Sequence, residues 1–248
     1  MKLSLPREYF VLLGIQVLEY RSWGLITAIF TTLFPLAMIY GFSLIGGGVP
    51  EDGLIYLVTG AAIISLVTVG ITATSQELAS MRREGVLEYY ASLPISKAGL
   101  LASLLTVRVV MVIPGIVLTL VVGSKLYGTP LDINAYSVLL VPLTVLSISG
   151  VGVALGSLIS DVRAVGTLSQ LAFIIVMFAS PVLIPMDRLP PAIQWFSYAL
   201  PTTYAAEGFR QALAGQVDTS LFSNIIVLAL FALLSILATT IGLSWRKN

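Results

Sequence analysis

Five stretches of this chain run for 23 residues or more without a charged side chain: 22–50, 53–76, 133–160, 164–186 and 219–245. Each exceeds the roughly 18–20 apolar residues that carry a helix across a bilayer. A sixth stretch, 98–124, is interrupted only by Arg108, and its apolar flanks tolerate one charge in a membrane-inserted helix. The fold expected is therefore an all-α integral membrane protein of six transmembrane helices. Their spans are about 23–46, 53–76, 99–124, 135–159, 164–186 and 221–245, forming a single transmembrane domain over 1–248.

Composition closes the alternatives. Only 10% of the 248 residues are charged and 57% are hydrophobic, whereas a soluble domain carries about 25% charged residues. A net charge of +1 gives no bulk attraction to nucleic acid or to acidic substrates. The chain has no Cys and no His, which removes thiol and imidazole catalysis, disulfides and the usual zinc and haem ligands. No metal site, catalytic residue or cofactor bound by this chain is expected. The six runs leave 90 residues, and no piece between them is long enough for a soluble catalytic domain. The start, MKLSLPREYF, puts Pro6, Arg7 and Glu8 where a cleavable signal needs an apolar core, so none is expected.

Lys and Arg set the orientation. With the N-terminus inside, Lys2, Arg7, Arg21, Arg82, Arg83, Lys97, Arg163, Arg246 and Lys247 are cytoplasmic, against Lys125, Arg188 and Arg210 outside. Both termini are then cytoplasmic in a multi-pass protein of the inner membrane. Gly46 to Pro50, with Glu51 and Asp52, form the short outer turn after span one.

Several segments stand out against this frame. Residues 7–21 read as an amphipathic helix lying along the inner leaflet, with Tyr9, Phe10, Leu13, Val17 and Tyr20 on one side and Glu8, Gln16 and Glu19 roughly opposite. The inner loop 77–97 holds the densest charge, with a short helix expected around Arg82, Arg83, Glu84 and Glu88. It is either a docking surface for a soluble partner or a solvated turn. In span two, Ser65, Thr68, Thr72 and Ser75 fall within about 80° on a helix. They line a pathway or supply interhelical hydrogen bonds, the commoner use of such hydroxyls. Thr167 and Gln170 in span five begin a shorter stripe continued by Phe173 and Met177. Arg108 is expected to snorkel to the inner interface, and Gly152 with Gly156 forms a GxxxG close-packing signal. The stretch 189–206 carries Pro190, Pro191 and Pro201. Only 192–200, about 14 Å of helix, is free of proline, so the chain is expected to dip into the membrane and return.

Two motifs resemble the transmembrane subunit of type-2 ATP-binding-cassette (ABC) transporters, the family of drug, lipid and polysaccharide exporters. They are REGVLEYYASLPIS at 83–96 and PMDRLPPAIQWFSYALPTTYAAEGFRQALAG at 185–215. The first is similar to a charged-Gly-x-Leu-Glu pattern followed by Leu-Pro-Ile-Ser. The second is similar to Leu-Pro, then Pro-x-x-Tyr, then Glu-x-x-Arg. At 178–182, FASPV departs from the Ser-Gly of many relatives.

The resemblance implies a cytoplasmic coupling helix after span two that seats in an ATPase subunit, with Arg83, Glu84, Gly85, Glu88 and Tyr89 as coupling residues. It implies re-entrant external helices over 187–213, with Trp195, Tyr198, Pro201, Tyr204, Glu207 and Arg210 at an external gate. It also implies a translocation path bordered by Ser65, Thr68, Thr72, Phe173 and Met177.

ATP and Mg would belong to a partner pair of ABC ATPase subunits. The lysines here follow Met1, Ser96, Ser124 and Arg246, never the Gly that a Walker loop requires. A second permease chain, identical or related, completes the expected unit in membrane lipid. The substrate expected is amphipathic, drug- or lipid-like, with a polysaccharide or glycolipid as the alternative. An intramembrane enzyme is disfavoured by spans without acids or His, and an ion-coupled secondary transporter by the lack of span carboxylates and of an inverted repeat.

Overall fold

The computed structural model of the chain describes residues 5–45, 51–128, 131–159 and 161–242. Among the described residues ten α-helices carry the architecture: α1 Leu5–Ile45, α2 Glu51–Val67, α3 Thr74–Arg83, α4 Val86–Ser92, α5 Lys97–Tyr127, α6 Ala135–Leu158, α7 Val162–Ala179, α8 Pro191–Ser197, α9 Pro201–Leu213 and α10 Thr219–Gly242. A π-helical segment, Thr68–Ala73, joins α2 to α3 without a break. No strand occurs among the described residues.

Five helical stretches among them are long and apolar enough to cross a membrane: Ile55–Arg83, Lys97–Tyr127, Ala135–Leu158, Val162–Ala179 and Thr219–Thr240. They correspond to expected spans two to six. Expected span one falls within α1, and most side chains there lie outside the described residues, as do the 46–50 turn, Lys2 and the chain beyond 242.

The helix starts follow from short polar side chains that accept orphan backbone N–H groups. Asn134 Oδ1 accepts from Tyr136 and Ser137, each at 3.1 Å, to begin α6. Asp161 accepts from Arg163 at 2.8 Å to begin α7. Asp218 accepts from Ser220 and Leu221 at 3.1 and 3.0 Å to begin α10.

α6 is the central post. Its Gly150 faces α10, where an added Cβ would lie 2.5 Å from Ser235 Oγ. On another side Gly156 stands where a Cβ would meet the Ser75 carbonyl at 2.6 Å, and Gly152 faces the carbonyls of Gly70 and Ile71. The GxxxG signal thus marks a backbone-to-backbone approach between α6 and the π-segment with α3. Around this post the larger core gathers Ile63, Leu66, Ile71, Leu140, Ile148 and Phe209. A smaller core joins Leu12, Leu78, Met81, Leu87, Tyr90 and Leu100.

Four expectations are corrected. First, 7–21 is not a separate interfacial helix: α1 continues unbroken to Ile45, and its 41 residues make it about 60 Å long. Glu8 (4% exposed) and Gln16 of its polar stripe face protein rather than water, buried like Leu12, while Phe10, Val11, Val17 and Leu18 are outward. Glu8 accepts hydrogen bonds from the Ser96 N–H and from Ser96 Oγ, the latter at 2.8 Å, at the start of α5. Glu8→Ala is expected to cost about 2 kcal/mol, the range for hydrogen bonds to a charged group, read as a lowered midpoint of thermal unfolding in detergent.

Second, expected span five, 164–186, ends at Ala179, because Pro181 cannot continue the helix and Ser180 turns extended. Third, Arg108 does not snorkel; it is 2% exposed and forms an ion pair with Glu77 of α3. Fourth, Pro191 and Pro201 start helices rather than break one, each sitting at the first turn where its missing N–H costs nothing. A 13-residue α9 begins at Pro201, beyond the 192–200 stretch to which the prolines alone confined regular helix and within the 187–213 segment that the resemblance gave to external helices.

Candidate functional site

The expected coupling residues come together at an elbow. α3 ends at Arg83, and Gly85 takes φ 76°, a left-handed conformation costly for a residue with a Cβ. A Cβ at Gly85 would meet nothing within 4 Å, so backbone conformation alone calls for glycine. The chain reverses there into α4, with Tyr89 N–H donating to Gly85 O at 3.0 Å.

One face of α4 is anchored, since Leu87 and Tyr90 are buried in the smaller core against Leu78, Met81, Leu100, Leu104 and the α1 residue Leu12. The opposite face is open: Arg83, Glu84 and Glu88 are exposed, and Tyr89 is 63% exposed. The elbow therefore presents mixed charge and an aromatic ring from a firm base. Arg82, by contrast, turns inward and donates to the Ser157 carbonyl near the end of α6. A cation there satisfies an orphan carbonyl and suits the negative end of the helix dipole. Sequence reading missed the anchors Leu87 and Tyr90, although their three-residue spacing on a short helix was the available signal.

At the other end of the bundle the expected gate residues divide. Trp195 is 81% exposed and Tyr198 is exposed, whereas Pro201, Tyr204 and Glu207 are half-buried and Arg210 is buried. The hairpin of α8 and α9 is pinned from within: Thr203 Oγ1 donates to Ser197 O at 2.6 Å, and Tyr204 OH donates to Tyr198 O at 2.9 Å.

Arg210 is its main fastening. Its Nη2 donates to the carbonyls of Pro181 and Val182, the latter at 2.7 Å, and its guanidinium carbon lies 3.7 Å from the centre of the Tyr56 ring. Gly60 admits the approach, since a Cβ there would fall 2.5 Å from Val182 O. One side chain thus ties α9 to the turn after α7 and to the start of span two. Burial draws the Arg210 guanidinium down to about 10, with Tyr56 and Glu207 partly offsetting it, so it stays charged at neutral pH. Burial raises the Glu207 carboxyl, opposed by Arg210. Asn134 adds a second fastening, donating to Ala212 O at 2.6 Å.

The expected path residues are enclosed to different degrees. Ser65 and Phe173 are buried, while Thr68, Thr72 and Met177 are half-buried. The hydroxyls of Thr68 and Ser75 donate to carbonyls of their own helical stretch, Ile64 O at 2.7 Å and Thr72 O at 3.1 Å, rather than across to a neighbour. Helix contact is made here by the glycines of α6. No group of His, Cys, Asp or Glu among the described residues is arranged to hold a metal ion.

The sequence matches the family described as ABC-2 type transporter over residues 7–214. The chain belongs to the ABC-2 type transporter family. This makes it the membrane domain of an ABC transporter and implies a separate ATP-binding subunit. The matched region takes in both the elbow and the hairpin. No curated protein matches the chain.

Proposed function

We propose that this ABC-2 chain is the permease subunit of an ATP-driven exporter that moves an amphipathic, drug- or lipid-like substrate by alternating access. The observation that carries this reading is the elbow. An exposed face of Arg83, Glu84, Glu88 and Tyr89 stands on an anchored helix, as a surface that receives force from a soluble ATPase requires. Arg7 and Arg163 lie at the same end, since Glu8 reaches Ser96 and Arg82 reaches the end of α6. That excess of positive charge supports a cytoplasmic elbow and an external α8–α9 hairpin.

Among the five described spans Val162–Ala179 is the least enclosed. Its outward Leu168, Leu171, Ile174, Ile175 and Phe178 suit packing against a second permease chain, related by a two-fold axis along the membrane normal. Two apolar hollows, of about 420 and about 230 Å³, border α5 and meet at Val109 and Pro142. Neither hollow is lined by the expected path residues, and their apolar linings suit the alkyl chains of membrane lipid.

The test is reversal of charge at the elbow. Glu84→Lys with Glu88→Lys is expected to lower the ATPase subunit co-purified with the permease about tenfold, equivalent to ~1.4 kcal/mol of binding. The thermal midpoint should stay unchanged, because both side chains are exposed. Undiminished co-purification together with undiminished ATP hydrolysis would overturn the reading.

A further inference from the structure

We propose that Glu77 and Arg108 are positioning residues that tie α3 to α5, so that the segment carrying the elbow and the third span move as one body; this rests on the elbow being the ATPase contact. α3 has ten residues and a joint at each end. On one side the π-helical segment Thr68–Ala73 departs from the α-helical ladder, a feature that recurs at functional positions. On the other, Gly85 reverses the chain at φ 76°. A rod between two joints swings about them unless its flanks are held.

Its flanks are held on three sides, with α7 also packed along it. Towards α6, Arg82 donates to Ser157 O and Gly156 admits the Ser75 carbonyl. Towards α5, the charged tie is the ion pair of Glu77 with Arg108. Arg108 is 2% exposed, a third of the way along α5. A cavity of about 20 Å³ beside the pair is lined otherwise by Thr74 and by apolar residues including Leu78, Met81, Leu104 and Val153. Arg108 Nη1 has no hydrogen-bond partner among the described residues. Glu77 is therefore the one carboxylate set against this buried cation there, and drawing the two apart leaves a desolvated charge unpaired, the costly way to break such a pair. Apolar neighbours slide past one another; this contact resists sliding. Motion imposed at Glu84 to Tyr89 reaches α5 directly where Leu87 and Tyr90 pack with Leu100 and Leu104, and the charged tie carries α3 along with it instead of letting α3 swing at Gly85 or at the π-segment.

The absence of native Cys allows a direct measurement. Nitroxide labels at Ala91→Cys on α4 and Val110→Cys on α5, both exposed positions, report the α4–α5 distance distribution of the full chain in lipid nanodiscs. A narrow distribution is expected for the otherwise unaltered chain. Glu77→Gln should broaden it about twofold, and the swapped pair Glu77→Arg with Arg108→Glu should restore the width, since paired residues act non-additively. A role confined to packing would not be rescued by the swap. An unchanged width in E77Q, or a swapped pair as broad as E77Q, overturns the proposal. The ATPase arm separates the two readings. If an ABC ATPase subunit binds the unaltered chain but E77Q leaves the width unchanged, the tie alone falls. If none binds, the elbow reading falls and the tie loses the role given to it here.

Discussion

Arg210→Met is expected to be among the most destabilising substitutions in the chain, at about 4 kcal/mol. It leaves the buried carbonyls of Pro181 and Val182 without their donor, at ~1–3 kcal/mol each, and it removes a desolvated cation–π contact of up to ~2 kcal/mol. Methionine recovers part of this through apolar burial. The thermal midpoint in detergent should fall by about 10 °C, taking ~2–4 °C per kcal/mol for a chain of this size. Arg210→Lys keeps the charge but not the fork that serves two carbonyls and stacks on Tyr56, and it should lie between Met and the unaltered protein. A midpoint for R210M within 2 °C of the parent would show that α9 is held chiefly by Phe209 and Leu213, both buried in the core. The functional consequence follows from position. The same guanidinium joins the hairpin to α7 and to span two, so its loss should also free the α8–α9 hairpin from the spans that it is proposed to gate.

The parts of this architecture that sequence exposes are those set by local rules. Runs free of charge, or broken only by Arg108, located the five described apolar stretches because a helix in hydrocarbon needs length and apolarity wherever its neighbours lie. Asn134, Asp161 and Asp218 cap helix starts by accepting from backbone two or three residues away, a local signal that sequence reading did not use. Charge density, a glycine and Leu-Pro-Ile-Ser within 14 residues pointed to the elbow, but the single short helix expected around Arg82, Arg83, Glu84 and Glu88 is divided at Gly85, with Arg82 and Arg83 ending α3 and Glu88 on α4. What escaped depends on partners distant in the chain. Glu8 looked like the wet side of an interfacial helix until its acceptor role 88 residues away came into view. Arg108 looked like a snorkelling cation because Glu77 stands just outside the charge-free run, while α3 carries it inward as a continuation of span two. Pro201 is chemically ambiguous, a breaker in a helix interior and a favoured residue at a helix start. Only the packing of α9 against α2, α6 and α10 decides between them. The hydroxyl stripe was projected on a regular α-helix, a register that the π-segment Thr68–Ala73 alters, and whether a hydroxyl bonds across helices or back to its own carbonyl is set by the spacing of the neighbouring helix. Here the glycines of α6 set that spacing.

Gly152 is where the spacing is tightest, and Gly152→Ala is expected to cost about 3 kcal/mol or more, the upper range for overpacking a well-filled contact. The added methyl would meet the carbonyl oxygens of Gly70 and Ile71 and, at 2.9 Å, the Cβ of Thr74. Two of these atoms are backbone and the third is fixed to it, so no rotamer change relieves the overlap, and α6 has to back away from the π-segment. Retreat would loosen Ile71 and Ile148, both almost fully buried, and would lengthen the approach of Gly156 to Ser75 on α3. Gly166 supplies the internal comparison. It lies in α7 with nothing within 4 Å of an added Cβ, so Gly166→Ala should be neutral or stabilising by up to ~1 kcal/mol through helix propensity. Thermal unfolding of the two variants side by side separates propensity from packing, with a midpoint drop of about 6–10 °C expected for G152A. Equal midpoints would mean that the α6 contact with the π-segment has slack. The segment would then be free to convert to regular helix, and α3 would lose the fixed upper joint on which its action as a lever depends.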